Sequence, residues 1–119
     1  MVKLEDAFGL DTPIWEKPIA YKKGTRVQLR YFAGQALPFE VMVMNRAHAD
    51  NYGFAVERPV VGRWVTLAVD LDRTKPHEAG GPAWKDGDPI DAIRLRGLDT
   101  NAKYDLWIDD LTLLVPAGR

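Results

Sequence analysis

A chain of 119 residues and 13.4 kDa is too short for two independent hydrophobic cores and reads as a single domain, 1–119. Its 46% hydrophobic and 28% charged residues are ordinary for a folded globular protein, while 16 Lys and Arg against 17 Asp and Glu leave a formal net charge of -1. That balance supplies no field to draw in nucleic acid or an anionic membrane, and the absence of cysteine excludes disulfide frameworks, thiolate metal sites and cysteine nucleophiles.

The segment through Tyr21 is interrupted by Pro13 and Pro18, with Phe8, Trp15 and Ile19 as its apolar contributors, and is expected to add one or two edge strands. From Thr25 to Phe32 the period becomes two: Val27, Leu29 and Tyr31 share one face, and Arg26, Gln28 and Arg30 the other. After a turn at Gly34–Pro38, Phe39, Val41 and Val43 repeat the inward set opposite Glu40, Met42 and Met44. The two methionines make that outer face partly apolar, as expected of a surface that is covered or touches a ligand. Tyr52, Phe54 and Val56 form a third alternation, and Val65, Leu67, Val69 and Leu71 a fourth.

Residues 72–89 hold Pro76, Gly80, Gly81, Pro82, Gly87 and Pro89 and read as one long loop, a kind of segment often given to function. Alternation resumes over Ile90–Arg96, with Ile93 and Leu95 inward and Arg94 and Arg96 outward. In the last strand Leu106 and Ile108 keep one parity, whereas Leu111, Leu113 and Val115 keep the opposite one. Both halves can face a core only if one residue is inserted between them, which predicts a β-bulge at Asp109–Asp110. About eight short strands without crossover helices predict an all-β fold, a two-sheet antiparallel β-sandwich with jelly-roll connections.

Four motifs in order, Asp50-Asn51-Tyr52-Gly53-Phe54, Gly62-Arg63-Trp64-Val65-Thr66-Leu67, Asp88-Pro89-Ile90 and Leu106-Trp107-Ile108-Asp109-Asp110-Leu111, resemble jelly-roll carbohydrate-binding modules of the galactose-binding-like class. The resemblance spans Thr25 to Leu114 and implies a non-catalytic module that holds a tethered catalytic domain near polysaccharide. It also implies a structural calcium ion held by Asp109 together with a carboxylate near the N-terminus, for which Asp6, beside Glu5, is the candidate. Trp64 matches an aromatic that is usually structural in the class and is left out of the binding set. The chain is therefore expected to be a module of a longer, secreted parent acting outside the cell; no signal peptide is visible in it.

Sugars bind by laying their C–H faces on aromatic rings while polar groups take their hydroxyls. Trp107, on the strand face opposite Leu106 and Ile108, and Trp84, in the Pro82–Asp88 loop, are the stacking candidates. Arg30, Arg94, Arg96 and Gln28 lie on outward faces and, if their strands are neighbours, form one polar platform suited to a carboxylated or sulfated sugar.

Catalysis finds little support. The chain has no serine, and His48 and His77 lack the spacing of a zinc motif. Paired carboxylates such as Glu40 with Asp105 would mimic a glycosidase dyad only if the fold brings them across from one another. The expected function is polysaccharide or oligosaccharide binding on a sheet face; the alternative is a protein-interaction or structural module of an extracellular assembly.

Overall fold

The computed structural model describes residues 2–5, 9–11 and 17–117, with backbone alone for 10 and 11. Their strands are β1 (Val2–Leu4), β2 (Leu10–Asp11), β3 (Ile19–Ala20), β4 (Arg26–Ala33), β5 (Phe39–Asn45), β6 (Asp50–Val56), β7 (Trp64–Asp70), β8 (Lys75–Pro76), β9 (Pro89–Gly97) and β10 (Leu106–Leu114). A four-stranded sheet runs β1-β10-β4-β7 and a second runs β2-β9-β5-β6-β8, with β3 also on the outer edge of β9; all pairings are antiparallel. Among the long strands only β5 and β6 form a hairpin, and every other connection steps from one sheet to the other. This is the jelly-roll wrapping the alternation predicts, five strands wide on one side and four on the other.

The inward sets meet as a single core. Val27, Leu29 and Tyr31 of β4 face Phe39, Val41 and Val43 of β5, and Leu106 and Ile108 of β10 join Ile90, Ile93 and Leu95 of β9, all of them buried. The bulge in β10 is present: the four residues from Asp109 to Thr112 oppose the three from Arg30 to Gln28. Beyond it Leu111 and Leu113 again pack on the core. Asp110 absorbs the insertion with φ of 53°, in the left-handed region. A second bulge, which the alternation does not announce, lies in β9 between Ile93 and Ile90, so that both isoleucines point inward.

The predicted loop over 72–89 is more structured than its composition suggests. A 3₁₀ turn (Leu71–Arg73) and β8 open it, and Trp84 then plugs the sandwich at 8% exposure. The indole stacks on Tyr21 (centroids 5.3 Å apart, planes at 26°) and leans on Tyr52 (4.8 Å). Its Nε1–H donates to Thr74 Oγ1 at 2.9 Å, and that hydroxyl donates to the Leu71 carbonyl at 2.6 Å. A buried indole is tolerated because its one polar atom is satisfied. The Tyr52 hydroxyl fixes the same loop by donating to the Pro82 carbonyl at 2.6 Å. Glycine is required at Gly97, where an added Cβ would lie 2.3 Å from the Tyr104 ring.

Two measurements check this core. Trp84→Ala removes a large buried side chain packed on Tyr21 and Tyr52, and is expected to cost about 3–5 kcal/mol in denaturant unfolding. Burial, the hydrogen bond to Asp72, and the charges on Asp72, Asp70 and Asp86 raise the Tyr21 phenol above its ordinary value; burial raises Tyr52 as well. The unfolded chain therefore releases these protons first, so stability is intact below the ordinary phenol range of about pH 10 and falls as pH climbs above it. Tyr21→Phe should flatten that alkaline decline in stability measured by circular dichroism.

Candidate functional site

Pairing register decides which outward side chains become neighbours. On the four-stranded sheet Lys3 stands opposite Trp107, Trp107 opposite Phe32, and Phe32 opposite Trp64. One cross-strand row thus carries three aromatic rings across β10, β4 and β7, each of them half-buried. The Phe32 and Trp64 centroids are 5.8 Å apart with planes tilted by 54°.

Polar groups frame the rings. Trp107 Nε1–H donates to Asp105 Oδ1 at 3.2 Å, and Lys3 Nζ sits 5.3 Å above the Trp107 ring and 3.6 Å from the same carboxylate oxygen. At the other end the Arg30 guanidinium lies 5.0 Å from the Trp64 ring centre and 3.7 Å from Asp110 Oδ2. Gln28 continues the face along β4, opposite Thr112 and Ala68. Beyond Trp107 an open depression of about 530 Å³ is lined by Lys3, Glu5, Gln35, Lys103, Tyr104 and Asp105.

The expected single platform is divided. Trp107, Arg30 and Gln28 share the outer face of the four-stranded sheet, whereas Arg94 and Arg96 lie on β9 in the other sheet, opposite Met42 and Glu40. The arginine-bearing strands β4 and β9 are not neighbours, so their guanidiniums point away from opposite sides of the sandwich. Trp84 leaves the stacking set, because its ring faces are covered by Tyr21 and Tyr52. In its place the structure supplies Phe32 and Trp64. Both share the parity of outward residues, Phe32 with Arg30 and Trp64 with Thr66, and that parity was the available signal. Their adjacency to Trp107 depends on strand order, which alternation does not encode.

Glu40 and Asp105 are likewise separated. Glu40 takes Arg96 Nε at 2.8 Å and faces His77 Nε2 at 3.1 Å on one sheet, while Asp105 is engaged with Lys3 and Trp107 at the other. At the bulge both acidic side chains have contacts within the chain. Asp109 Oδ1 accepts the Asp110 N–H at 3.0 Å, Asp110 pairs with Arg30, and among the described residues no three His, Asp or Glu side chains converge. Asp6 lies outside the described residues. A scan of protein-family models finds none that matches this chain, and a search of curated proteins finds no match either.

The bulge itself can be tested. The Asp110–Arg30 contact is exposed and long, worth at most about 1 kcal/mol. A left-handed backbone costs a non-glycine residue about 1–2 kcal/mol. Asp110→Gly should therefore leave the melting temperature unchanged or raise it, and Asp110→Val should lower it.

Proposed function

We propose that the domain is a non-catalytic module that binds polysaccharide across the outer face of the four-stranded sheet. The observation that carries this reading is the row Trp107–Phe32–Trp64, three half-exposed rings on adjacent strands with hydrogen-bonding groups at both ends. Neighbouring strands are about 4.8 Å apart, so the outer two rings stand on backbones about 10 Å apart, a span suited to two consecutive sugar rings laid across the strands. Asp105, Gln28 and the two cations supply donors and acceptors for hydroxyls.

Lys3 and Arg30 lie over the rings that a sugar would cover. An exposed cation–π contact is worth about 0.5–1 kcal/mol and an exposed ion pair about as little. Displacing either side chain therefore costs less than the covering of two indole faces returns, at about 25 cal/mol per Å² of apolar area. The resemblance of the Gly-Arg-Trp and Trp-Ile-Asp-Asp motifs to carbohydrate-binding modules supports the same reading, including attachment to a catalytic domain in a secreted parent.

A second reading has one observation in its favour. Val60 and Val61 are 39% and 47% exposed, and Val61 bridges to Ala33 at the end of the aromatic row. The row and the valines together would suit a neighbouring protein domain.

Affinity electrophoresis through neutral polysaccharides separates the two. At least one neutral polymer should retard the protein, and Trp107→Ala and Trp64→Ala should each weaken that retardation about tenfold or more while remaining folded. No retardation by any neutral polymer overturns the glycan reading, and retardation that ignores both substitutions removes the aromatic row as its site. Self-association in sedimentation, lost in Trp107→Ala, favours the protein-contact reading.

A further inference from the structure

We propose that a groove on the opposite sheet, beside β8, is a second binding site that takes a saccharide bearing a sulfate or carboxylate group. The groove encloses about 670 Å³ and is bordered by Glu40, Phe54, Arg73, Lys75, His77 and Arg96, with Gly53 at its floor. Arg73, Lys75 and Arg96 bring three fixed positive charges against the single negative charge of Glu40, in a chain whose net charge is -1.

The arrangement is built rather than incidental. The Glu40 side chain is only 12% exposed and holds two of the groove's cationic or ionisable side chains, Arg96 through Nε and His77 through Nε2. Arginine has five N–H donors, and this ion pair uses the one on Nε. The Glu40 carboxylate can lie there because Gly53 has no side chain: a Cβ at Gly53 would come within 2.1 Å of Glu40 Oε2. β8 pairs with β6 through Gly53 and Lys75, which brings Lys75 to the groove, and the His77 N–H donates to the Asn51 carbonyl at 3.0 Å, which fixes the chain just past β8.

The ligand class follows from the mixture of surfaces. Glu40 is an acceptor set among donors, and Arg73 is steadied at the border with its guanidinium 5.3 Å from the centre of the Phe54 ring. A bare inorganic anion would use the cations alone, whereas a sugar carrying an acidic group also has hydroxyls to donate to the acceptor. Sulfate esters and uronate carboxylates share the oxyanion that the cations recognise.

The test runs independently of the aromatic row on the other sheet. Wild type, Trp107→Ala, Arg73→Ala/Lys75→Ala, and Lys22→Ala/Lys23→Ala, which removes two exposed cations elsewhere, are passed through gels containing dextran sulfate, polygalacturonate or unmodified dextran. At low ionic strength at least one acidic polymer should retard wild type and Trp107→Ala alike. Arg73→Ala/Lys75→Ala should lose about tenfold in affinity while the Lys22/Lys23 variant keeps most of it, and Lys75→Glu should reproduce the loss with a single substitution. Retardation by dextran sulfate alone or polygalacturonate alone identifies which oxyanion the groove takes. No retardation by either acidic polymer, an equal loss in the two double variants, or a loss confined to Trp107→Ala overturns the site. Failure of neutral polymers to bind bears only on the aromatic face.

Discussion

One inserted residue in β10 reconciles two apolar runs of opposite parity. Leu106 and Ile108 face the core before it and Leu111 and Leu113 after it, and a strand without the insertion would have to turn one pair to solvent. β10 lies between β1 and β4, hydrogen-bonded on both sides, so an error there would propagate across the whole four-stranded sheet. Because the first half of β10 is held in this phase, Trp107 points outward and meets Phe32, and through it Trp64. The candidate binding face is thus a consequence of core packing. Asp110 carries the backbone cost, in a residue type that enters the left-handed region more readily than most.

On the other side of the sandwich the organising element is Trp84. Its indole sits between Tyr21, from the N-terminal part of the chain, and Tyr52 of β6, while its N–H reaches Thr74. Those contacts anchor both ends of the 72–89 segment, since Thr74 directly precedes β8 and the Gly87 N–H donates to the Tyr21 carbonyl at 2.8 Å. A loop rich in glycine and proline is thereby given a fixed course along the edge of β6. The short strand β8 and the side chains that border the groove follow from that course.

Periodicity of two carried most of the architecture, because in the long strands the inward apolar residues recur at every second position. It revealed β4, β5, β7 and the β10 bulge. It missed the β9 bulge although Ile90 and Ile93 show the same parity conflict, because Asp91 and Ala92 between them read as ordinary alternation. The three short strands β1, β2 and β3 and the two-residue β8 hold too few positions for any period to register. The site was half legible: parity correctly turned Trp107, Arg30, Gln28 and Arg96 outward, but strand order distributes them over two sheets. Trp84 was misjudged for a different reason. A tryptophan flanked by Lys85 and Asp86 looks exposed in sequence, whereas a long loop folding back can bury one ring and leave its charged neighbours in water.

The two outer faces differ in the physics each would use. Around the aromatic row each cation already has a carboxylate partner, Lys3 with Asp105 and Arg30 with Asp110, so the face is close to neutral and its favourable term is apolar contact. Such contact is weakly sensitive to salt. In the groove beside β8 three cations share one carboxylate, and attraction for an oxyanion would weaken as ionic strength rises. Sheets in a sandwich pack about 10 Å apart, with side chains adding further on each outer surface, so a single short saccharide cannot reach both faces. Two occupied faces would therefore belong to separate ligand segments, and a domain of this size would hold polysaccharide strands together rather than merely adhere to one.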